Sequence, residues 1–327
     1  MIPVIIGSGS WGTALTLVTY QALGKAILFS RNKSIATTIK ETQINPRLPN
    51  ILIPDQISVT AELEDIRQGD IIIIACPAQS VREVFERINP YIRGSATVII
   101  TAKGIEKVSG KFLSDVILEY NNQINPFVLS GPSFALDVAT GRPAAVTLAG
   151  RSLDESMSLA VQLSTKTFRI YGSNDLLGAQ FGGSAKNVLA IACGVAEGLG
   201  LGESARSALL TRGFAELVRM GIAIGASRET LFGLSGLGDL LLTASSYQSR
   251  NFSLGVRLAR GESINDPLDG VTEGAWTAPV LQKLSAKYEI GMPIVDAVVR
   301  ILSGEGNCSS EVDKLLSRPI KSEIREI

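Results

Sequence analysis

The chain of 327 residues contains no histidine. That absence removes Ser-His-Asp catalysis, imidazole general bases and His-ligated zinc together. Proton transfer is left to Lys, Asp, Glu, Tyr, Cys or water. Cysteine is nearly as scarce. Cys76, Cys193 and Cys308 are odd in number, far apart and form no CxxC pair. Neither a disulfide framework nor a thiolate metal site is expected, and the thiols suit a reducing cytosol. Neither sign of charge dominates, since 31 Lys and Arg balance 31 Asp and Glu. This argues against a general nucleic-acid or anionic-membrane surface. The apolar stretch from Val188 to Leu201 is broken by Glu197 and several glycines, so no membrane span is expected. The segment Met1-Ile2-Pro3-Val4-Ile5-Ile6-Gly7 has no basic leader and reads as a strand, not a signal peptide. A cytoplasmic protein follows as the expectation.

Hydrophobic residues make up 45% and charged residues 19%, which describes a core-rich folded chain long enough for two domains. The first half alternates apolar strands with amphipathic helices. Val4–Ile6, Lys25–Ser30, Asp70–Ala75, Thr97–Thr101, Phe127–Ser130 and Ala144–Ala149 read as strands, with helices at Thr13–Leu23 and Ser80–Ile88. Within Asp70–Ala75 the run Ile71-Ile72-Ile73-Ile74-Ala75 is continuously apolar, as expected for a strand buried on both faces. Such alternation implies βαβ units and a parallel sheet. The pattern changes near Tyr171–Asp175. Beyond it only helical spacing remains, over Leu177–Leu199, Ala205–Ile224 and Thr277–Glu289. The expected fold class is therefore an α/β Rossmann-type parallel sheet domain followed by an all-α C-terminal domain. The expected boundary gives residues 1–175 to the sheet domain and residues 176–327 to the helical domain.

Gly7-Ser8-Gly9-Ser10-Trp11-Gly12 matches G-x-G-x-x-G. The motif is weak alone, but here it follows an apolar strand and opens a helix. Gly7 permits the tight turn, Gly9 lets backbone approach a pyrophosphate, and Gly12 allows close helix packing. Free N–H groups at the helix start then attract the diphosphate. An NAD-specific site carries Asp or Glu about 20 residues on, at the end of the second strand. This chain has Ser30-Arg31-Asn32-Lys33 there. Arg31 suits a 2′-phosphate, so NADP(H) is expected to be accepted beside or ahead of NAD(H).

Six segments, in order, carry a resemblance that covers nearly the whole chain. They are residues 7–15, Thr101–Glu106, Leu129–Ala135, Gly182–Asn187, Gly236–Leu240 and Ser249–Asn251. Together they resemble the bacterial-type NAD(P)-dependent glycerol-3-phosphate dehydrogenases. The resemblance implies reversible hydride transfer between dihydroxyacetone phosphate and sn-glycerol 3-phosphate, a precursor of membrane phospholipids. It also implies a phosphorylated triose as substrate and a homodimer as assembly.

Reducing a ketone needs a hydride, which the cofactor supplies, and a proton for the developing alkoxide. With histidine absent, Lys186 is the candidate general acid/base. A helical lysine is most often solvated, but the apolar and glycine-rich neighbours of Lys186 argue for burial. Burial and a second cation would lower its pKa, and Lys103 is the natural second cation. The resemblance gives the acid/base role to Lys186 and contact with substrate and cofactor to Lys103. Asp239 would orient Lys186, bind a substrate hydroxyl, or merely cap a helix. Asn187 and Thr243 are further hydrogen-bonding candidates. Arg250 suits a bidentate grip on phosphate, flanked by Ser249 and Asn251. The resemblance implies substrate contacts at all three and places Arg250 near the cofactor as well. Gly131 and Ser133 follow a strand, where open α/β sheets bind ligands. By resemblance Ala135, Val271 and Glu273 border the cofactor, with Ser10 and Trp11 in its loop.

The chain departs from the family pattern in three places. Asn45-Pro46-Arg47-Leu48-Pro49-Asn50 stands where N-x-x-Y-L-P-G is common, so Arg47 replaces an aromatic residue. Asp137 stands where Glu is usual, and Phe252-Ser253 where more basic residues are common. A β-hydroxyacid or ketopantoate-type reductase, or a non-catalytic NAD(P) sensor, would share the glycine loop. The sensor would not need Lys103, Lys186 and Asp239 to converge.

Overall fold

The strands of the first half form because short β-branched runs alternate with helices that cover both faces of one sheet. The computed structural model describes residues 1–262 and 272–319. Its strands are β1 (Pro3–Ile6), β2 (Ile27–Phe29), β3 (Ile44–Asn45), β4 (Leu48–Leu52), β5 (Ser58–Thr60), β6 (Ile71–Ile74), β7 (Thr97–Ile100), β8 (Pro126–Ser130), β9 (Ala144–Ala149) and β10 (Phe168–Ser173). Helices α1 (Ser10–Leu23), α2 (Lys33–Thr42), α3 (Val81–Ile88), α4 (Leu113–Tyr120), α5 (Ala135–Ala139) and α6 (Leu153–Leu163) lie among them. Eight strands make one sheet in the order β10-β9-β8-β7-β6-β1-β2-β5, while β3 and β4 form a separate antiparallel hairpin.

Alternate residues of each central strand enter different cores. Ile5, Leu28, Ile73 and Ile99 face one side with Leu15 and Leu159, whereas Val4, Ile72, Val98 and Ile100 face the other with Phe85 and Ile117. Both faces are thus covered, which explains the unbroken apolar runs. One pairing corrects the expectation of a parallel sheet: β8 and β9 are antiparallel. Between them the chain makes only the five-residue α5, a span of about 7.5 Å. That is too short to carry the chain back to the other end of the sheet, so β9 starts at the end where β8 stops. The sheet is otherwise parallel.

The chain then enters α7 (Leu176–Gly198), whose first turn is capped by Asp175 accepting from Gly178 N at 2.8 Å. Helices α8 (Gly202–Ala223), α9 (Arg228–Phe232), α10 (Asp239–Thr243), α11 (Arg250–Ala259), α12 (Glu273–Lys287), α13 (Pro293–Ser303) and α14 (Cys308–Leu316) follow, with a π turn at Leu234–Gly238. No strand occurs among the described residues after Ser173. Every residue of α7 from Gly178 to Ala196 is buried. It is the axis around which the others pack, so a polar side chain along it faces protein or the cleft rather than bulk water. No helix of the described residues is long and apolar enough to cross a membrane.

Candidate active site

The carboxyl ends of β1, β2, β6 and β7 open into a cleft of about 1290 Å³, whose far wall is α7, α10, α11 and the start of α12. The cleft lies where the strand order reverses, between β1 and β6, the place where open α/β sheets take their ligands. Gly7 sits at φ +121°, a conformation that L side chains rarely adopt. A Cβ on Gly12 would stand 1.9 Å from the Gly7 carbonyl oxygen, so that helix turn demands glycine. Gly9 caps α1 without any side-chain acceptor, and the first turn holds no acidic residue. The leading N–H groups therefore face the cleft, and with the helix dipole they suit a diphosphate. Ser8, Gly9, Ser10 and Trp11 line the cleft, whereas Gly12 lies beneath it.

The β3–β4 hairpin is bolted to this loop. Asn45 Nδ2 donates to Ser8 O at 3.1 Å and Thr13 Oγ1 at 2.6 Å, while Ser10 Oγ donates to Arg47 O at 2.7 Å. Sequence reasoning missed Asn45 as a support. Its only local signal is the Asn-Pro turn. Arg47, standing where an aromatic residue is common, lines the cleft. Arg31 also lines it, exposed and 3.5 Å from Glu83.

At the opposite end the sequence-selected lysines meet. Asp239, 1% exposed, receives Lys186 Nζ at 2.9 Å on Oδ1 and Lys103 Nζ at 2.6 Å on Oδ2. Lys186 also donates to Thr243 Oγ1 at 2.5 Å, and Lys103 to Gly131 O at 2.8 Å. Asp239 is not a helix cap: α10 begins at Asp239 after Gly238, with no side-chain cap bond. The π turn just before it packs tightly on α7, since a Cβ on Gly182 would lie 2.9 Å from Ser235 O. Glycine in α7 is what lets the turn deliver Asp239 to Lys186.

Burial pushes the Lys186 ammonium down to about 8, and the Lys103 cation adds to that, while Asp239 pulls it back up. Burial alone would raise the Asp239 carboxyl. The two lysines overcome this and hold it below its ordinary value. Two cations share one anion, so the floor of the cleft carries net positive charge. An ammonium has three N–H donors, and Asp239 and Thr243 take two of those of Lys186.

Not every selected residue points at the cleft as a donor. Ser249 caps α11 by accepting from Phe252 N at 3.2 Å. Asn251 Nδ2 donates to Asn187 Oδ1 at 2.9 Å and its Oδ1 accepts from Gly274 N at 2.9 Å. Asn187 Nδ2 in turn reaches Lys103 O at 3.2 Å. This relay ties three chain segments around the lysines. Arg250 is exposed in the cleft wall at the start of α11. Ser133 Oγ donates to Gly131 O at 3.0 Å, and Ser133 and Ala135 line the cleft, whereas Gly131 contributes its carbonyl behind it. Glu273 accepts from Ala78 N at 2.8 Å, linking α12 to the sheet half, and its Oε2 is buried without a partner among the described residues. Burial raises its pKa. Val271 lies outside the described residues. Of the other departures, Asp137 pairs with Arg142, Phe252 is buried in the helical core and Ser253 donates to Tyr247 O.

The uncapped α1 terminus, the glycine loop and the orphaned Glu273 oxygen fit a nicotinamide dinucleotide. Cys76 lines the same cleft, but burial pushes its thiol up to about 12, so it is no thiolate nucleophile. Among the described residues no group of His, Cys, Asp and Glu suits a metal ion.

Known proteins give the same picture. Residues 3–156 match the N-terminal region, and residues 175–313 the C-terminal region, of NAD-dependent glycerol-3-phosphate dehydrogenase. A glycerol-3-phosphate dehydrogenase [NAD(P)+] of Bradyrhizobium diazoefficiens is 47% identical over 98% of this chain and 97% of its own. The crystal structure of glycerol-3-phosphate dehydrogenase from Coxiella burnetii superposes with a TM-score of 0.91 at 35% identity, covering 97% of this chain and 99% of that one. A ketopantoate reductase from Ralstonia eutropha shares the fold alone, with a TM-score of 0.61 at 14% identity over 97% of this chain and 100% of that one. The chain is a member of the NAD-dependent glycerol-3-phosphate dehydrogenase family.

Proposed function

We propose that the protein interconverts dihydroxyacetone phosphate and sn-glycerol 3-phosphate with NAD(P)(H), in the cytoplasm and as a homodimer. In that role it would supply glycerol 3-phosphate for phospholipid synthesis. The observation that carries the reading is the grip of Lys186 and Lys103 on the two oxygens of Asp239. The reduced nicotinamide, when bound, supplies a hydride to the carbonyl carbon, and the carbonyl oxygen gains the negative charge. Lys186 holds its third N–H for that oxygen, polarises it, and transfers the proton as the alkoxide forms. In the reverse direction the neutral amine accepts the hydroxyl proton. A pKa of about 8 keeps both forms populated near neutral pH. Asp239 and Thr243 fix where Nζ points, and Lys103 adds positive charge beside the reacting oxygen.

Arg250 and the leading N–H groups of α11 suit the substrate phosphate, with Ser249 and Asn251 holding that helix start in position. Gly131 and Ser133 shape the substrate side of the strand end. Gly7, Gly9, Ser10, Trp11 and Gly12 form the diphosphate cradle. Arg31 favours the 2′-phosphate of NADP(H), and no carboxylate at the end of β2 competes for it. Glu273 offers a buried acceptor to the cofactor, and Ala135 lines its path. The non-catalytic sensor explains neither the buried lysine nor its lowered pKa. The test is NADPH and NADH oxidation with dihydroxyacetone phosphate beside ketopantoate. Turnover with the phosphorylated ketone is expected. Folded protein that turns over only the carboxylate ketone, or neither, would overturn the reading.

A further inference from the structure

The segment after β2, Ser30-Arg31-Asn32-Lys33, offers no anion to a bound ribose, and its polar oxygens are already engaged. Ser30 is wholly buried. Its hydroxyl accepts from Ser8 Oγ at 2.8 Å and donates to Asn32 O at 3.0 Å. The Asn32 side-chain oxygen caps α2 by accepting from Ile35 N at 3.2 Å, and Lys33 pairs with Glu62 at 3.1 Å. Arg31 remains, and a guanidinium only donates. The ribose 2′-hydroxyl of NAD(H) is ordinarily met at this point by a carboxylate acceptor.

A carboxylate does reach this point, from α3 rather than from β2. Glu83 Oε1 stands 3.5 Å from Arg31 Nη1, and both side chains are exposed. Ser80, Val84 and Arg87 line the cleft. Glu83 follows Ser80 by three residues and precedes Arg87 by four, so it shares their side of the helix. The Cys76 thiol in the same wall is governed first by burial, but it also feels both charges, Arg31 lowering its pKa and Glu83 raising it. Phe29, Ile35 and Leu63 line this end of the cleft and supply apolar surface for an adenine ring. An anion and a cation thus stand together where the adenosine ribose would lie.

We propose that Glu83 and Arg31 form a two-way cofactor selector, in which the Glu83 carboxylate accepts the ribose 2′-hydroxyl of NAD(H) and Arg31 takes the 2′-phosphate of NADP(H). The exchange is easy because an exposed pair at this distance is weak. A 2′-phosphate brings more charge and more acceptor oxygens to the guanidinium than the carboxylate does. Arg87, one turn further along α3, receives the displaced Glu83. Glu followed four residues later by Arg is the favourable order on a helix. Glu83 therefore favours NAD(H) twice, by binding its hydroxyl and by competing with the phosphate for Arg31.

The test is the Kd of NADH and of NADPH for the full chain, read by nucleotide fluorescence without substrate. Glu83→Ala should weaken NADH about fivefold and tighten NADPH about threefold. Arg87→Ala, a second exposed position, should weaken NADPH about threefold and leave NADH unchanged. Shifts of one sign in Glu83→Ala, or none, would overturn the proposal, as would an Arg87→Ala protein that loses both nucleotides alike. The proposal rests on the reading that the cleft takes NAD(P)(H). Wild type that binds both nucleotides, with no opposed shifts in the variant, fails the selector and leaves that reading standing. Wild type that binds neither would overturn both.

Discussion

Two buried carboxylates in the helical half behave in opposite ways. Asp239 at the cleft is 1% exposed and Glu216 at the junction of α8 and α13 is 3% exposed. Asp239 is held below its ordinary pKa by two lysines. Glu216 accepts from Ile294 N on both oxygens at 3.1 Å, and the charge of Arg219 offsets its burial only in part. Burial therefore dominates and pushes it up to about 7. Equal burial does not give equal chemistry. Two lysines bonded to its oxygens turn a desolvated carboxyl into a fixed anion, and backbone donors with the weaker pull of Arg219 do not. The first arrangement fixes a buried lysine at the cleft, and the second fastens the start of a helix.

The largest effect expected is at the lysine itself. Lys186→Ala should lower kcat by about three orders of magnitude while NADPH binding, read by fluorescence quenching, stays within a few fold. Unchanged turnover would remove Lys186 from the chemistry. Asp239→Asn tests the carboxylate and should cost about 100-fold in kcat. Its pH profile is the sharper readout. Ketone reduction uses the ammonium, so in the wild type it should fall as pH rises through about 8, the value to which Lys186 is lowered. Alcohol oxidation uses the neutral amine and should rise over the same window. Loss of the Asp239 anion should shift both profiles to lower pH, and a stationary profile would deny the coupling.

Glu216 should affect stability and leave the pH profile of turnover unchanged. Its folded pKa lies above the ordinary 4.5, so the native state binds the proton more tightly than the unfolded chain does. The stability it contributes is fully present below about 4.5 and is lost as pH rises through about 7. The swing is on the order of 3 kcal/mol at most. Glu216→Gln should flatten the fall in denaturant midpoint between these limits. Parallel curves for variant and wild type would show that Glu216 does not titrate on folding. The smallest effect belongs to the exposed counterpart of these buried groups. Arg31→Ala should raise the KM for NADPH by about tenfold or less, because solvent screens an exposed cation, and leave that for NADH nearly unchanged. Equal effects on both cofactors would separate Arg31 from the 2′-phosphate.

The strands that could be read from the sequence are those buried on both faces, such as Ile71–Ile74, where continuous β-branched residues leave no other assignment. β10 escaped because Phe-Arg-Ile-Tyr-Gly-Ser shows neither a continuous apolar run nor a clean alternation. That irregularity belongs to an edge. β5 and the β3–β4 hairpin are too short to carry a period. In the site, the motif at Ser249–Asn251 pointed to three substrate contacts. The described hydrogen bonds give Ser249 to a helix cap and Asn251 to the relay with Asn187, leaving Arg250 the side chain directed to the cleft.

By itself the sequence determined the sheet half, because binary patterning and a glycine loop act over a few residues. It also determined that no imidazole moves a proton here, because histidine is absent. Only the tertiary structure decided the surroundings of Lys186, the lysine that the sequence singles out. Lys103 and Asp239 meet across 136 residues, and the pKa of Lys186 comes from burial in α7 and from these two charges. Desolvation and charge proximity are properties of a place in the fold. No residue carries them along the chain.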